Sequence, residues 1–140
     1  MPIRSAVAGN AARRHALPGR GGLIRVRESA MNSIRGLREG LRTEAAVKQE
    51  TALAVLGLIV SPIVAGDLWT WIALVGSLIF VLTVEYLNTA IERLCNHVTP
   101  ERHEAIRVTK DLASAGVFFA LLLAGLIWSA AILERFGLVG

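Results

Sequence analysis

The stretch LASAGVFFALLLAGLIWSAAIL, Leu112–Leu133, carries no charged residue and is long enough to cross a bilayer as one helix. A span needs about 20 consecutive apolar residues, and this block alone meets that length unaided. Two shorter apolar blocks precede it, Ala52–Ala65 and Leu68–Val84. Composition agrees, at 54% hydrophobic residues and a mean hydropathy of +0.54 over 140 residues, beyond an ordinary soluble domain. That length bounds the chain to one domain.

Charge placement decides whether the shorter blocks cross. Ten of the 15 Lys and Arg residues lie between Arg4 and Lys48, and the net charge is +4. A basic end beside apolar blocks suits an anionic membrane surface better than nucleic acid. The segment from Arg93 to Lys110 is basic too, whereas Gly66-Asp67 holds no Lys or Arg. The positive-inside rule puts both basic segments on the cytoplasmic side. Two crossings must separate them, so Ala52–Ala65 crosses, and Pro62 is expected to kink its far end. Three spans follow, approximately 48–66, 68–94 and 108–134, with the N-terminus cytoplasmic and the C-terminus outside. Trp69, Trp71 and Trp128 then fall at the outer interface, where aromatic rings are favoured, and Tyr86 near the inner one.

Ahead of the spans, Met31, Ile34, Leu37 and Leu41 recur at roughly helical spacing, with Arg35, Arg38 and Arg42 beside them. That pattern predicts an amphipathic helix lying on the membrane surface. Thr99-Pro100-Glu101 reads as a helix start, with Thr as N-cap and Pro in the first turn. Small residues recur every four positions, as Gly57, Ser61 and Ala65 and as Gly116, Ala120 and Ala124. Such ridges let helices approach closely in lipid, and three short spans suggest an oligomer. Residues 1–22 are basic and hold no acidic residue. They resemble a transit peptide in composition and read more simply as a disordered extension, leaving 23–140 as the membrane domain. Cys95 is the only cysteine, and His15, His97 and His103 lack metal-ligand spacing, so a disulfide framework or a Cys/His metal site is excluded.

The chemistry gathers in Glu85-Tyr-Leu-Asn88-Thr-Ala-Ile-Glu92-Arg-Leu-Cys-Asn96, whose polar positions 85, 88, 92 and 96 share one helix face. Glu85 follows a purely apolar run, and an ionisable group at a membrane boundary is by default a functional one. The plainer reading pairs Glu85 and Glu92 with basic residues of a neighbouring helix. Glu44 and Glu50 flank Gln49 before the first span, and Lys110-Asp111 with Ser114 stands where the last span enters. In the three-span topology all three clusters meet at the cytoplasmic interface. Carboxylates and a lysine at one level suit Mg²⁺ and phosphate. No G-x-x-x-x-G-K-[ST] is present, which excludes a P-loop.

These residues resemble the prokaryotic diacylglycerol kinase family from about Arg25 onward. The likeness is carried by Glu44-Ala-Ala-Val-Lys-Gln-Glu50, by Glu85-Tyr-Leu-Asn-Thr-Ala-Ile-Glu92, and by Lys110-Asp111 with Ser114. The resemblance implies an all-α homotrimer of the bacterial inner membrane, with active sites shared between subunits. It further implies transfer of the γ-phosphoryl group of ATP to the hydroxyl of diacylglycerol, with Mg²⁺ as cofactor. By resemblance, Glu85 is the general base, and Glu44 and Glu92 hold Mg²⁺. Arg25, Asn32, Glu44, Glu92, Glu101, Arg102, His103, Lys110 and Asp111 contact ATP. Arg25, Ser33, Arg38, Gln49, Glu50, Glu85, Asn88 and Ser114 contact the lipid. Asn96 stands where the family usually has Asp, and Asn32 where an aromatic is common. An undecaprenol kinase shares the same motifs. A non-enzymatic membrane subunit with a proton or cation path is the rival from another class. Such a path needs carboxylates through the bilayer depth, whereas here they gather at one interface.

Overall fold

The computed structural model describes residues 22–99 and 103–138. They form four helices in chain order: α1 Gly22–Thr43, α2 Ala45–Val64, α3 Leu68–Val98 and α4 Glu104–Arg135. The last three are each long and apolar enough to cross a membrane. The fold is therefore an all-α membrane protein of three transmembrane helices behind an amphipathic N-terminal helix, as its periodicity predicts.

The chain divides into two compact units after Leu37. In the first, the α1 side chains up to Leu37 are exposed, including Met31 and Ile34. The Ser33 hydroxyl donates to the Ser29 carbonyl at 3.1 Å, and Arg35 donates to the Asn32 side chain. These bonds within one turn are the usual recourse of polar residues on a helix surface.

The second unit begins with the last turn of α1 and contains the bundle. Glu44 alone separates α1 from α2, and its N–H still donates to Gly40 O at 2.9 Å. α2 continues through Pro62 and stops two residues later at Val64. Proline has no N–H for the carbonyl four residues back, which is that of Leu58. The Ser61 hydroxyl supplies the missing donor, bonding Leu58 O at 2.9 Å. α3 starts at Asp67, whose carboxylate accepts from Trp69 N at 2.7 Å and Thr70 N at 3.1 Å. This is an N-cap that satisfies two of the first turn's unpaired amides.

The expected helix start at Thr99-Pro100-Glu101 is corrected here. Thr99 closes α3 in an extended conformation (φ −154°, ψ 130°), its N–H bonded to Cys95 O at 3.2 Å. A residue before proline is driven out of the helical region, and at Thr99 that outweighs its capping preference. α4 begins at Glu104 with His103 at the N-cap position, making no side-chain cap bond. Residues 100–102 lie outside the described residues.

α3 packs against both α4 and α2, which scarcely meet each other. One cluster joins Val64, Leu74 and Ala131, with Trp128 against it. The other joins Val81, Ala120 and Ala124. The small-residue ridges lie in these seams: Ser61 is fully buried and Ala120 nearly so, and a Cβ on Gly57 would come within 2.8 Å of Leu78. In lipid, close packing replaces the hydrophobic drive between helices. The opposite faces present Leu53, Ile59, Phe118, Phe119 and Leu126, each more than half exposed. Such a surface is tolerable in hydrocarbon and not in water.

Candidate active site

Short connections make successive helices antiparallel, so the start of α2, the end of α3 and the start of α4 share one end of the bundle. Asp67 and Trp69 lie at the other end. The buried stripe of α3 runs Leu74, Ser77, Val81, Glu85 and Thr89. Glu85 thus takes a core position in a seam that is apolar for two turns before it, and it is 3% exposed. Asn88 and Glu92 continue the stripe half-buried, and Asn96 is exposed. One helix face therefore leads from the interior to the water.

Glu85 is not isolated there. Its carboxylate is hydrogen-bonded by the Thr89 and Asn88 side chains and lies within electrostatic reach of Glu92 and Glu44. Glu50, from α2, faces it. Among the described residues, Glu50 Oε2 and Asn88 Oδ1 are buried without a hydrogen-bond partner. Most buried polar atoms find a partner, so these oxygens, like Trp128 Nε1 further along the bundle, are open to a bound group or water. A groove of about 410 Å³ opens beside Glu50 and runs along Leu53, Gly57 and Val81 to Trp128. Among the described residues, Glu50 is the only charged one that lines it.

Glu44 sits where α1 meets α2, half-exposed, with its carboxylate held from one side. Arg93 Nε and Nη2 donate to Glu44 Oε1 at 2.9 and 2.7 Å. On α4, Lys110 Nζ donates to Asn96 Oδ1 at 2.6 Å, which brings the lysine to the polar face of α3. Asp111 accepts from Arg107 at 2.5 Å, and Arg107 also grips Glu104 at 2.6 Å. The structure thus gathers Glu44, Glu50, Glu85, Asn88 and Glu92, and sets Lys110 one turn beyond Glu92 on the same face.

The remaining expected positions stand differently. Gln49 and Ser114 are exposed, on the α2 and α4 ends that flank the site. Arg38 lies exposed in the last turns of α1. Arg25, Asn32 and Ser33 belong to the separate unit before Arg38. His103 is the exposed N-cap position of α4. Glu101 and Arg102 lie outside the described residues. The structure adds Thr89 and Arg93 to the expected residues. Thr89 is one turn beyond Glu85, a spacing that could have flagged it. Arg93 gives no signal until the helices are packed.

The donor set can be tested against Mg²⁺. Among the described residues no three His, Cys, Asp or Glu side chains gather as a metal cage. Mg²⁺ does not require one, since it takes one or two carboxylates with waters and phosphate oxygens. Glu44 fits that role because its contacts go to Oε1 and leave Oε2 without a partner among the described residues.

Comparison with known proteins agrees with this arrangement. The family described as Prokaryotic diacylglycerol kinase matches residues 31–132. A diacylglycerol kinase of Escherichia coli K12 is 33% identical over 116 residues, covering 83% of this chain and 95% of that protein. One from Haemophilus influenzae is 31% identical over 107 residues, covering 76% and 91%. One from Pseudomonas aeruginosa is 30% identical over 115 residues, covering 82% and 94%. With its three spans and its carboxylates at one end of the bundle, the chain belongs to the prokaryotic diacylglycerol kinase family.

Proposed function

We infer that the protein phosphorylates diacylglycerol, transferring the γ-phosphoryl group of ATP to the lipid hydroxyl and releasing phosphatidic acid and ADP. The observation that carries this reading is Glu85, buried at the membrane boundary with Asn88 and Thr89 on its carboxylate and three other glutamates around it.

Glu85 accepts the hydroxyl proton as the lipid oxygen attacks the γ-phosphorus, and ADP departs as that P–O bond breaks. A general base of this kind contributes typically 10²–10⁴-fold. Asn88 and Thr89 fix the carboxylate by hydrogen bonding, so little reorganisation is needed at the moment of transfer. The groove below Glu50 receives an acyl chain and leaves the glycerol hydroxyl at the polar end. Glu44 and Glu92 hold Mg²⁺, which when bound neutralises phosphate charge. Lys110, steadied by Asn96, faces the nucleotide, and Asp111 and His103 serve the same side. Arg25, Asn32, Glu101 and Arg102 act on the nucleotide, and Arg25, Ser33, Arg38, Gln49 and Ser114 on the lipid.

The enzyme works as a homotrimer with sites shared between subunits, in the bacterial inner membrane and with its N-terminus cytoplasmic. The apolar faces of the spans support the membrane location, and the basic residues before Lys48 and from Arg93 to Lys110 support the orientation. The deciding experiment supplies purified protein in mixed micelles with γ-labelled ATP and either diacylglycerol or undecaprenol. Label in phosphatidic acid is expected. Label confined to undecaprenyl phosphate would reassign the substrate, and label in neither would refute the reading.

A further inference from the structure

We propose that Arg93 is a binding residue for the non-transferred phosphates of the nucleotide, parked on Glu44 while the site is empty. This rests on the reading of Glu44 as a metal ligand.

Three observations carry it. First, Arg93 follows Glu92 in the chain and bonds Glu44, one of the two carboxylates assigned to the ion. Its Nη1 is 3.8 Å from Glu39, and its Nη2 also bonds the Thr43 hydroxyl. Every partner of the fork is thus an acidic or hydroxyl oxygen acting as acceptor, as a phosphate oxygen would. Second, the pair is open to water. The Arg93 side chain is 45% exposed and that of Glu44 32%. Ion pairs so wet are weak and readily exchange partners. Third, its place along the helix suits the inner phosphates. Arg93 is eight residues beyond Glu85, about 12 Å along the axis. If Glu85 marks the γ-phosphate, Arg93 reaches back to the part of the polyphosphate that stays on ADP.

Charge makes the exchange self-consistent. An ion arriving on Glu44 supplies the positive charge that Arg93 had provided there. The guanidinium is then released beside an incoming polyphosphate, whose oxygens match its planar fork. Arg93 thus opposes binding of a bare divalent ion and favours the ion that arrives with nucleotide. Because it serves phosphates common to ATP and ADP, it affects KM more than kcat.

The test uses the full chain in detergent micelles, with Arg93→Gln, Arg93→Lys and Glu44→Gln beside the parent. ADP binding is measured by equilibrium dialysis in EDTA, and Mn²⁺ binding without nucleotide by electron paramagnetic resonance. Arg93→Gln is expected to weaken ADP about tenfold, the loss of one charge-assisted phosphate contact. Arg93→Lys should fall between. Mn²⁺ affinity of Arg93→Gln should be unchanged or higher, because a competing cation has gone. Equal weakening of Mn²⁺ and ADP would overturn the proposal, because Arg93 would then only hold Glu44 in place. So would unchanged ADP affinity with a lowered melting temperature, the mark of a tie between α1 and α3. Glu44→Gln separates the two readings: undiminished Mn²⁺ binding there refutes the metal role of Glu44, while the ADP result in EDTA still decides Arg93.

Discussion

Gly40→Ala and Gly36→Ala make the same chemical change on one helix and should have opposite effects. A Cβ built on Gly40 lies 2.6 Å from Tyr86 Cε1, 3.1 Å from Cζ and 3.2 Å from Oη. Ordinary contact begins at 3.4 Å, so the nearest ring atom must retreat by 0.8 Å, the difference between 3.4 and 2.6. A ring moves as a unit and cannot yield one atom at a time. Overpacking of this kind costs about 1–3 kcal/mol. Removing a glycine from a helix returns up to ~1 kcal/mol. The net expectation for Gly40→Ala is a loss of up to ~3 kcal/mol. Nothing lies within 4 Å of a Cβ on Gly36, so Gly36→Ala should stabilise by up to ~1 kcal/mol. Tyr86 is bonded to Glu85 in the chain, so its retreat should also lower kinase turnover for Gly40→Ala alone. Melting curves in a single detergent and initial rates in mixed micelles read both effects. If Gly40→Ala melts at or above the parent with full turnover, the ring is not wedged against the α1 backbone and the reasoning fails.

Three further outcomes concern the site and one the far end of the bundle. Glu85→Gln keeps the shape of the side chain but accepts no proton, so turnover should drop 10²–10⁴-fold with ATP binding retained; activity within threefold of the parent would remove Glu85 as the base. Glu44→Gln and Glu92→Gln should each raise the Mg²⁺ concentration for half-maximal rate, and the double change should be no worse than additive; unchanged half-saturation in both single variants would contradict a shared ion. Bonds from Thr70 and Trp69 hold the Asp67 carboxyl below its ordinary range, so its cap stabilises α3 above the unfolded pKa and that support is lost as pH falls through the folded pKa; Asp67→Asn should flatten the acid limb of melting temperature against pH, and an unaltered limb would assign it to other groups. Asn96→Asp turns the Lys110 contact into an exposed ion pair worth under ~1 kcal/mol, so KM for ATP should move less than fivefold; a larger loss would mean that the Asn96 amide N–H donates a bond the structure does not show.

What could be read from sequence followed the range of each rule. Spans and the polar stripe from Glu85 to Asn96 depend on spacing within one helix, so periodicity reaches them before any partner is known. Bonds between helices depend on how each helix is rotated, and packing sets that rotation. Arg93 finds Glu44 across 49 residues, and Lys110 finds Asn96 across 14. By resemblance, Asn96 stands where the family usually has Asp; packed, it is an acceptor for the lysine of the next helix. Where two local rules met, the stronger prevailed. Thr99 has the chemistry of an N-cap, yet Pro100 after it makes it the end of α3. The same logic explains Pro62, which breaks no helix because Ser61 satisfies the carbonyl that proline leaves unpaired. At Thr99 the proline acts sterically on the residue before it, whereas at Pro62 its effect is a lost N–H, which the Ser61 hydroxyl replaces.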